Sequence, residues 1–420
     1  MKIKLPYGES QIEADINDDN VAGIIMPKGN NSQQLSRDIV VTALANPIGS
    51  DSIPVLVNRN KPRQIAIIIS DVTRPMPYDD MLPPVLNELL QAGVKPEQVT
   101  IVIATGCHRP NTKAEIIAAL GSDIANTYHI INHDCKSNLK SVGYLSSGIE
   151  LLINSAVADA QLKIALGLII PHKLAGYSGG SKAVLPGVAD FKSITENHRL
   201  MTKPHVQAGS YERNPVRKQM NEAARLAGVN FILNVVTNHQ DQVIAAVAGD
   251  TDLAWRQGVQ LCRESALVKV PKKCPVAIIS CGGYPRDLNV YQAIKPIVNA
   301  GKLINGGGTI VVCARCQEGY GDEVFAQWVT EARTPEDIIK RFKGGYALGG
   351  HKAYVLAKLL TTNEVVLVSD LSAQHTENLF INYQPDIAAA LTYVEKKHGP
   401  DYRAWVVPYA GLILPDVKAD

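Results

Sequence analysis

No stretch of this chain stays apolar for the roughly 20 residues that a bilayer crossing needs. The longest candidates, such as IALGLII, have the length of a strand. The N-terminus, MKIKLPYGESQIEADI, alternates apolar and polar residues as a strand does, and it lacks the apolar core and small-residue cleavage site of an export signal. Neither a membrane protein nor an exported one is expected; the expected location is the cytoplasm. Charge of one sign is missing too. Lys and Arg number 42 against 40 Asp and Glu, a net charge of +2, and no basic stripe of the kind that nucleic acid attracts is visible. Seven scattered cysteines do not form a disulfide framework, which fits a reducing compartment. One C-x-x-C occurs, CARC at Cys313 to Cys316, but a zinc ribbon needs a second pair. Two cysteines at a strand end, without chemistry, are expected there. No G-x-G-x-x-G follows any strand-like run, and the glycines Gly306 to Gly308 precede one, which argues against a nicotinamide-dependent dehydrogenase.

What is present is the composition of an ordinary globular protein, 46% hydrophobic and 20% charged. At 420 residues the chain exceeds the ~250–300 at which a single core stops growing, so two domains with a cleft between them are expected. Short β-branched runs alternate with longer helical patterns. IAIIIS ends at Ser70, VTIVIAT at Thr105, LKIALGLII at Ile170, VAIISC at Cys281, TIVVCA at Ala314 and EVVLVSD at Asp370. Among them lie YDDMLPPVLNELLQAG, TKAEIIAALG and NVYQAIKPIVNAG, with helical spacing and a Gly near each stop. The expected fold class is α/β, with mainly parallel, Rossmann-like sheets. A polar Pro/Lys stretch at Lys269 to Pro275 suggests a boundary. The expected domains are 1–270 and 271–420, with the C-terminal segment AWVVPYAGLILP open to either.

Ligands of open parallel α/β sheets bind outside the carboxyl ends of the strands. Ser70 leads there into DVTRP, Thr105 into GCHRP, Ile170 into PHKLAGYSGGSK and Cys281 into GGYPRDLNVYQAIK. These loops carry Arg, two His and two Lys, which implies a cationic site for a small anion. His108 and His172 each follow a strand directly, and two facing histidines suit proton transfer on both sides of one carbon. His351, in GGHKAY, could line the cleft from the second domain. The stretch PHKLAGYSGGSKAVLPG nearly spells a phosphate loop, but Ser181 stands where that motif needs its last Gly and Ala183 where it needs Ser or Thr. Lys182 is then a candidate covalent anchor for a cofactor, and Gly176, Gly179 and Gly180 are candidates for close backbone approach to one. Spacing alone does not make His198, in SITENHRLM, a metal ligand.

The set DVTRP, TGCHRP, PHKLAGYSGGSKAVLPGVA, ITENHRLM and GGYPRDLNVYQAIK, in this order over roughly two thirds of the chain, resembles the nickel-dependent lactate racemases and the wider group of 2-hydroxyacid racemases and epimerases. The resemblance implies a nickel pincer nucleotide, a pyridinium-3-thioamide-5-thiocarboxylic acid mononucleotide, bound covalently to Lys182, with His198 as the protein ligand to nickel. It implies hydride transfer from the substrate's Cα, a planar 2-keto acid intermediate, and His108 and His172 each serving one enantiomer. Arg74 and Lys295 match positions that handle the carboxylate and the charged cofactor region. Tyr291 and Gln292 match residues lining the same pocket, and Asp71 is expected to orient neighbours or meet the nucleotide. A 2-hydroxyacid such as lactate is the implied substrate, with malate, a longer hydroxyacid or a sugar acid such as gluconate as alternatives. Dedicated cofactor-building proteins are the implied maturation partners. Two readings from other classes stay open: a pyridoxal-phosphate enzyme with its Schiff base on Lys182, and a two-domain ligand-binding protein without turnover.

Overall fold

The computed structural model describes residues 1–28 and 34–418, and the chain divides into two compact units, Gly29–Ser265 and the pair of segments Met1–Lys28 and Ala266–Asp420. The first is built on a six-stranded sheet in the order Val243–Gly249, Phe231–Thr237, Leu162–Leu168, Ile65–Ser70, Val99–Ala104, His129–Asn132. Every neighbouring pair is parallel except the first, which is antiparallel. Strands Leu162–Leu168 and Phe231–Thr237 are buried along their whole length, because helices cover both faces of a parallel sheet and leave no polar side. Ile65, Ile67 and Ile69 alternate onto one face, where they meet Val85, Leu86 and Leu89 of helix Tyr78–Gln91. The parallel pairing sends the carboxyl ends of Leu162–Leu168, Ile65–Ser70 and Val99–Ala104 to the same edge, side by side.

The second unit holds another six-stranded sheet, ordered Asn382–Gln384, Glu364–Val368, Ile304–Cys313, Cys274–Ser280, Ala404–Val407, Val21–Ile24, and parallel throughout. Its edge strand comes from the far end of the chain. Val21 and Ile24 pair with Ala404 and Val406. The N-terminal hairpin Lys2–Tyr7 and Ser10–Asp15 buries Ile3, Leu5 and Ala14 against Val276, Ile278 and Val311. The expected first domain of residues 1–270 is corrected accordingly: its first 28 residues fold with the C-terminal half. Alternation identifies an amphipathic strand, but the surface that receives its apolar face lies about 270 residues away in sequence, where no local pattern reaches. The C-terminal segment stays in this unit, since Leu414–Val417 pairs in parallel with Leu267–Val270. No helix among the described residues is long and apolar enough to cross a membrane.

Leu5 is almost completely buried in this cluster. Leu5→Ala is expected to lower the stability of the second unit by about 2–5 kcal/mol, read from urea unfolding; a loss of a few tenths would mean that the hairpin is not part of the core.

Candidate functional site

The loops after three adjacent strands of the first sheet carry the polar residues singled out from sequence. After Ile65–Ser70 the chain turns at once, with the amide of Arg74 donating to the carbonyl of Asp71 at 3.1 Å. The Asp71 side chain is buried. Its Oδ1 accepts from the Thr73 hydroxyl at 2.6 Å and the Thr73 amide at 3.2 Å, and its Oδ2 lies 2.5 Å from His108 Nδ1. Burial pushes the Asp71 pKa up, but the opposing pull of His108, as charge and as hydrogen-bond donor, together with Arg74 and Thr73, outweighs it and leaves the carboxyl well below its ordinary range. Asp71, expected among cofactor contacts, thus has both oxygens engaged by protein. Arg74 Nη1 donates to the carbonyl and the hydroxyl of Thr73, at 3.0 Å each.

An ionised carboxylate only accepts, so His108 donates from Nδ1 and its Nε2 keeps the lone pair in the neutral ring. His172 is held the opposite way. It sits in the two-residue pairing of Pro171–His172 with Gly176–Tyr177, and its Nδ1 accepts from the amides of Leu174 and Ala175 at 3.2 and 3.1 Å. Its Nδ1 is therefore unprotonated, and the neutral ring carries its proton on Nε2. Two equal proton carriers were expected; a carboxylate holds one ring with its lone pair on Nε2, and two amides hold the other with its proton there.

The loop that follows is fixed from below by residues the sequence did not single out. Arg217, fully buried on helix Pro215–Ala227, donates to the carbonyls of Ala175 at 3.2 Å, Gly179 at 3.2 Å and Tyr177, and to the Ser181 hydroxyl at 3.0 Å. Its guanidinium lies 4.1 Å from the ring centre of Trp255, whose Nε1 donates to the Ser178 carbonyl at 2.8 Å. Asn214 donates to the Leu174 carbonyl at 2.7 Å, and Asn234 Oδ1 takes the Gly180 amide at 2.6 Å. The only sequence-level hint was a charged residue on the apolar face of an otherwise amphipathic helix opened by Asn-Pro. These contacts also explain the glycines. All three have positive φ, and a Cβ would lie 2.1 Å from the Ser210 carbonyl at Gly176, 2.6 Å from Asn234 at Gly179 and 2.7 Å from Trp255 at Gly180. Protein, rather than an open cradle, accounts for each.

Lys182 is half-buried on the short turn Gly180–Ala183, which packs against strands Leu162–Leu168 and Ile65–Ser70. The Gly106 amide, two residues before His108, donates to the Gly187 carbonyl at 3.0 Å and ties the two loops together. His198, on helix Phe191–Arg199, donates Nδ1–H to the Ile194 carbonyl at 2.9 Å, leaving Nε2 as its lone-pair nitrogen. No cluster of three or more His, Cys, Asp or Glu among the described residues is arranged to hold a metal ion.

The fourth loop belongs to the other sheet. Tyr291, Gln292 and Lys295 lie on helix Val290–Ala300, in the second unit. Tyr291 is buried edge-on to Phe325 and His351, with ring centres 6.1 and 6.2 Å away, and Lys352 Nζ stands 3.8 Å from its ring centre. His351 is buried and accepts the Gly349 amide at 3.2 Å, and Tyr354 stacks on Phe342 at 4.0 Å. Cys313 and Cys316 are fully buried, and burial raises both thiols far above their ordinary range, so they stay protonated and inert.

Comparison with known proteins agrees over the whole chain. Residues 7–209 match the model of the lactate racemase N-terminal domain, and residues 269–413 that of the lactate racemase C-terminal domain. The chain belongs to the lactate racemase family. It is thereby an isomerase. It is 35% identical over 417 residues to the lactate racemase of Thermoanaerobacterium thermosaccharolyticum, covering 97% of each chain, and 34% identical over 418 residues to that of Lactiplantibacillus plantarum, again covering 97% of each. The solved lactate racemase apoprotein from the first organism superimposes with a TM-score of 0.91 at 33% identity, over 100% of both chains.

Two outcomes are expected. Arg217→Met leaves the loop carbonyls of Ala175, Tyr177 and Gly179 without their donor and should cost about 3 kcal/mol or more, measured by urea unfolding with Trp255 emission as the local probe. Asp71→Asn should remove a stabilisation that depends on pH in a defined direction. The folded carboxyl titrates below the unfolded one, so its contribution is complete above the unfolded value of about 3.9 and is lost as pH falls through the folded value. The gap between parent and variant in urea unfolding is therefore constant near neutrality and closes in acid; a gap that widens in acid contradicts the assignment.

Proposed function

We propose that the chain interconverts the enantiomers of a small 2-hydroxyacid, with lactate as the first candidate, using a nickel pincer nucleotide carried on Lys182. The observation that carries the reading is the pair of oppositely held imidazoles, His108 poised to accept at Nε2 and His172 to donate from Nε2, after the two strands that flank Ile65–Ser70 in a chain of this family. When bound, the cofactor supplies a centre that takes a hydride from the substrate's Cα and returns it to either face.

The residues present fit that group. A metal-bound histidine ordinarily donates its other ring nitrogen to a carbonyl or carboxylate, as His198 does to Ile194. A single imidazole would suffice where the cofactor brings its own soft donors to the nickel. Lys182 stands on a turn whose backbone is fixed by Asn234, and Arg217 holds the loop before it. A covalent tether needs only a reachable amine, so the absence of a hydroxyl at Ala183 removes nothing.

His108 takes the proton from the substrate hydroxyl at Nε2, and the imidazolium so formed faces the Asp71 carboxylate across 2.5 Å. His172 holds the substrate oxygen as a donor. For it to accept a proton at Nε2 in the opposite direction, the Leu174 and Ala175 amides must release Nδ1, so the two directions draw on different local rearrangements. Arg74 offers the planar fork suited to a carboxylate. Tyr291, Gln292 and Lys295 are proposed as further substrate contacts. Proteins that build the cofactor are the proposed maturation partners.

Produced alongside such proteins, the chain should contain about one nickel and carry added mass on Lys182. Lys182→Ala should lose the added mass, His198→Ala should keep the mass and lose most of the nickel, and both should lack racemisation of lactate while their circular dichroism is unchanged. An unmodified, metal-free chain that still racemises lactate would falsify the proposal. Polarimetry of the loaded enzyme against lactate, malate and gluconate identifies the substrate.

A further inference from the structure

Cys107 immediately precedes His108 and is exposed; Cys135, in the loop after strand His129–Asn132, is buried. Their sulfurs are 3.5 Å apart, although 28 residues separate them. The approach is built into the sheet. Strands Val99–Ala104 and His129–Asn132 pair in parallel, the His133 amide continues the ladder to the Ile103 carbonyl at 2.9 Å, and the Thr105 hydroxyl donates to the His133 carbonyl at 2.6 Å. Each cysteine follows two residues after a partner in that last bond. Just beyond Cys107, the ring of His108 is held by Asp71.

We propose that Cys107 and Cys135 form a thiol pair that closes to a disulfide in the presence of a small-molecule disulfide such as oxidised glutathione, and that closure draws His108 away from its working position. The Cys107 thiolate attacks one glutathione sulfur, the glutathione S–S bond breaks, and one glutathione thiolate leaves. The Cys135 thiolate then attacks Cys107 Sγ, the mixed disulfide breaks, and the second glutathione leaves. The protons given up by the two protein thiols balance the two glutathione thiols formed, so the protein is oxidised by two electrons and one glutathione disulfide is reduced by two. The Cys107 thiol donates towards Cys135, and that hydrogen bond, opposed by burial, lowers the Cys135 pKa and favours the thiolate required for the second step.

Bond formation shortens the sulfur separation from 3.5 Å to about 2.05 Å. The Thr105–His133 and Gly106–Gly187 hydrogen bonds anchor the base of the loop, so the displacement falls on Cys107 and on His108 next to it. A shift on the order of 1 Å at a positioned proton carrier can lower turnover by about 10²-fold.

The effect on activity rests on the role proposed above for His108, whereas the cross-link does not, and the experiment reads the two separately. The cofactor-loaded enzyme is equilibrated with mixtures of reduced and oxidised glutathione, quenched with acid, alkylated and digested. Mass spectrometry is expected to find the Cys107 peptide joined to the Cys135 peptide, reversibly with dithiothreitol. Racemisation should fall about 100-fold in the cross-linked fraction and return on reduction. Cys135→Ser should instead accumulate a glutathione adduct on Cys107, and Cys107→Ser should form neither product. No link in the parent protein, or a persistent adduct on Cys107 as in Cys135→Ser, overturns the thiol pair. A link that leaves activity intact overturns the coupling to His108. An enzyme inactive before any oxidation counts against the racemase reading, and the mass measurement still decides the thiol pair.

Discussion

The buried guanidinium of Arg217 is the constraint on which the site depends. The loop between His172 and Lys182 runs under the sheet edge with a series of carbonyls directed into protein, where none can be left without a donor. One planar fork serves three of them, at Ala175, Tyr177 and Gly179, and Trp255 and Asn214 serve two more. The arrangement has a cost. Burial lowers the proton affinity of Arg217, and the charge of Asp252 only partly opposes it; no carboxylate among its hydrogen-bond partners shares the desolvation, so carbonyl dipoles and the Trp255 ring carry the compensation. What results is a loop whose backbone is settled before any ligand arrives, with the His172 imidazole at one end and the Lys182 amine at the other.

That backbone also decides what its histidine is. His108 and His172 are the same side chain after the two strands that flank Ile65–Ser70, yet a carboxylate faces Nδ1 of one and two amides face Nδ1 of the other. The first fixes a neutral ring with its lone pair on Nε2; the second fixes a neutral ring with its proton on Nε2. Under the mechanism proposed above, the return path begins with release of His172 Nδ1 by the Leu174 and Ala175 amides.

The near-match to a phosphate loop becomes intelligible in the same terms. Ser181, in place of the motif's glycine, donates to Asn221 Oδ1 at 2.6 Å and accepts from Arg217 at 3.0 Å. The Gly180 amide, of the kind a phosphate loop turns towards its ligand, is taken by Asn234. The glycines are required, but by Ser210, Asn234 and Trp255 pressing on the loop.

The sequence by itself determined the α/β class, the strands that end near Ser70, Ala104 and Leu168, and the polar residues that follow them, because side-chain periodicity and turn chemistry act over a few residues. The family, too, was legible from five motifs in order. Tertiary structure alone decided that residues 1–28 complete the C-terminal sheet, that His108 is the partner Asp71 takes, and that Arg217 holds the loop before Lys182. Each of these is a contact between residues from tens to hundreds of positions apart. Which of many possible partners a buried polar group or an apolar strand face finds is set by the packing of the whole unit, and no local pattern records it.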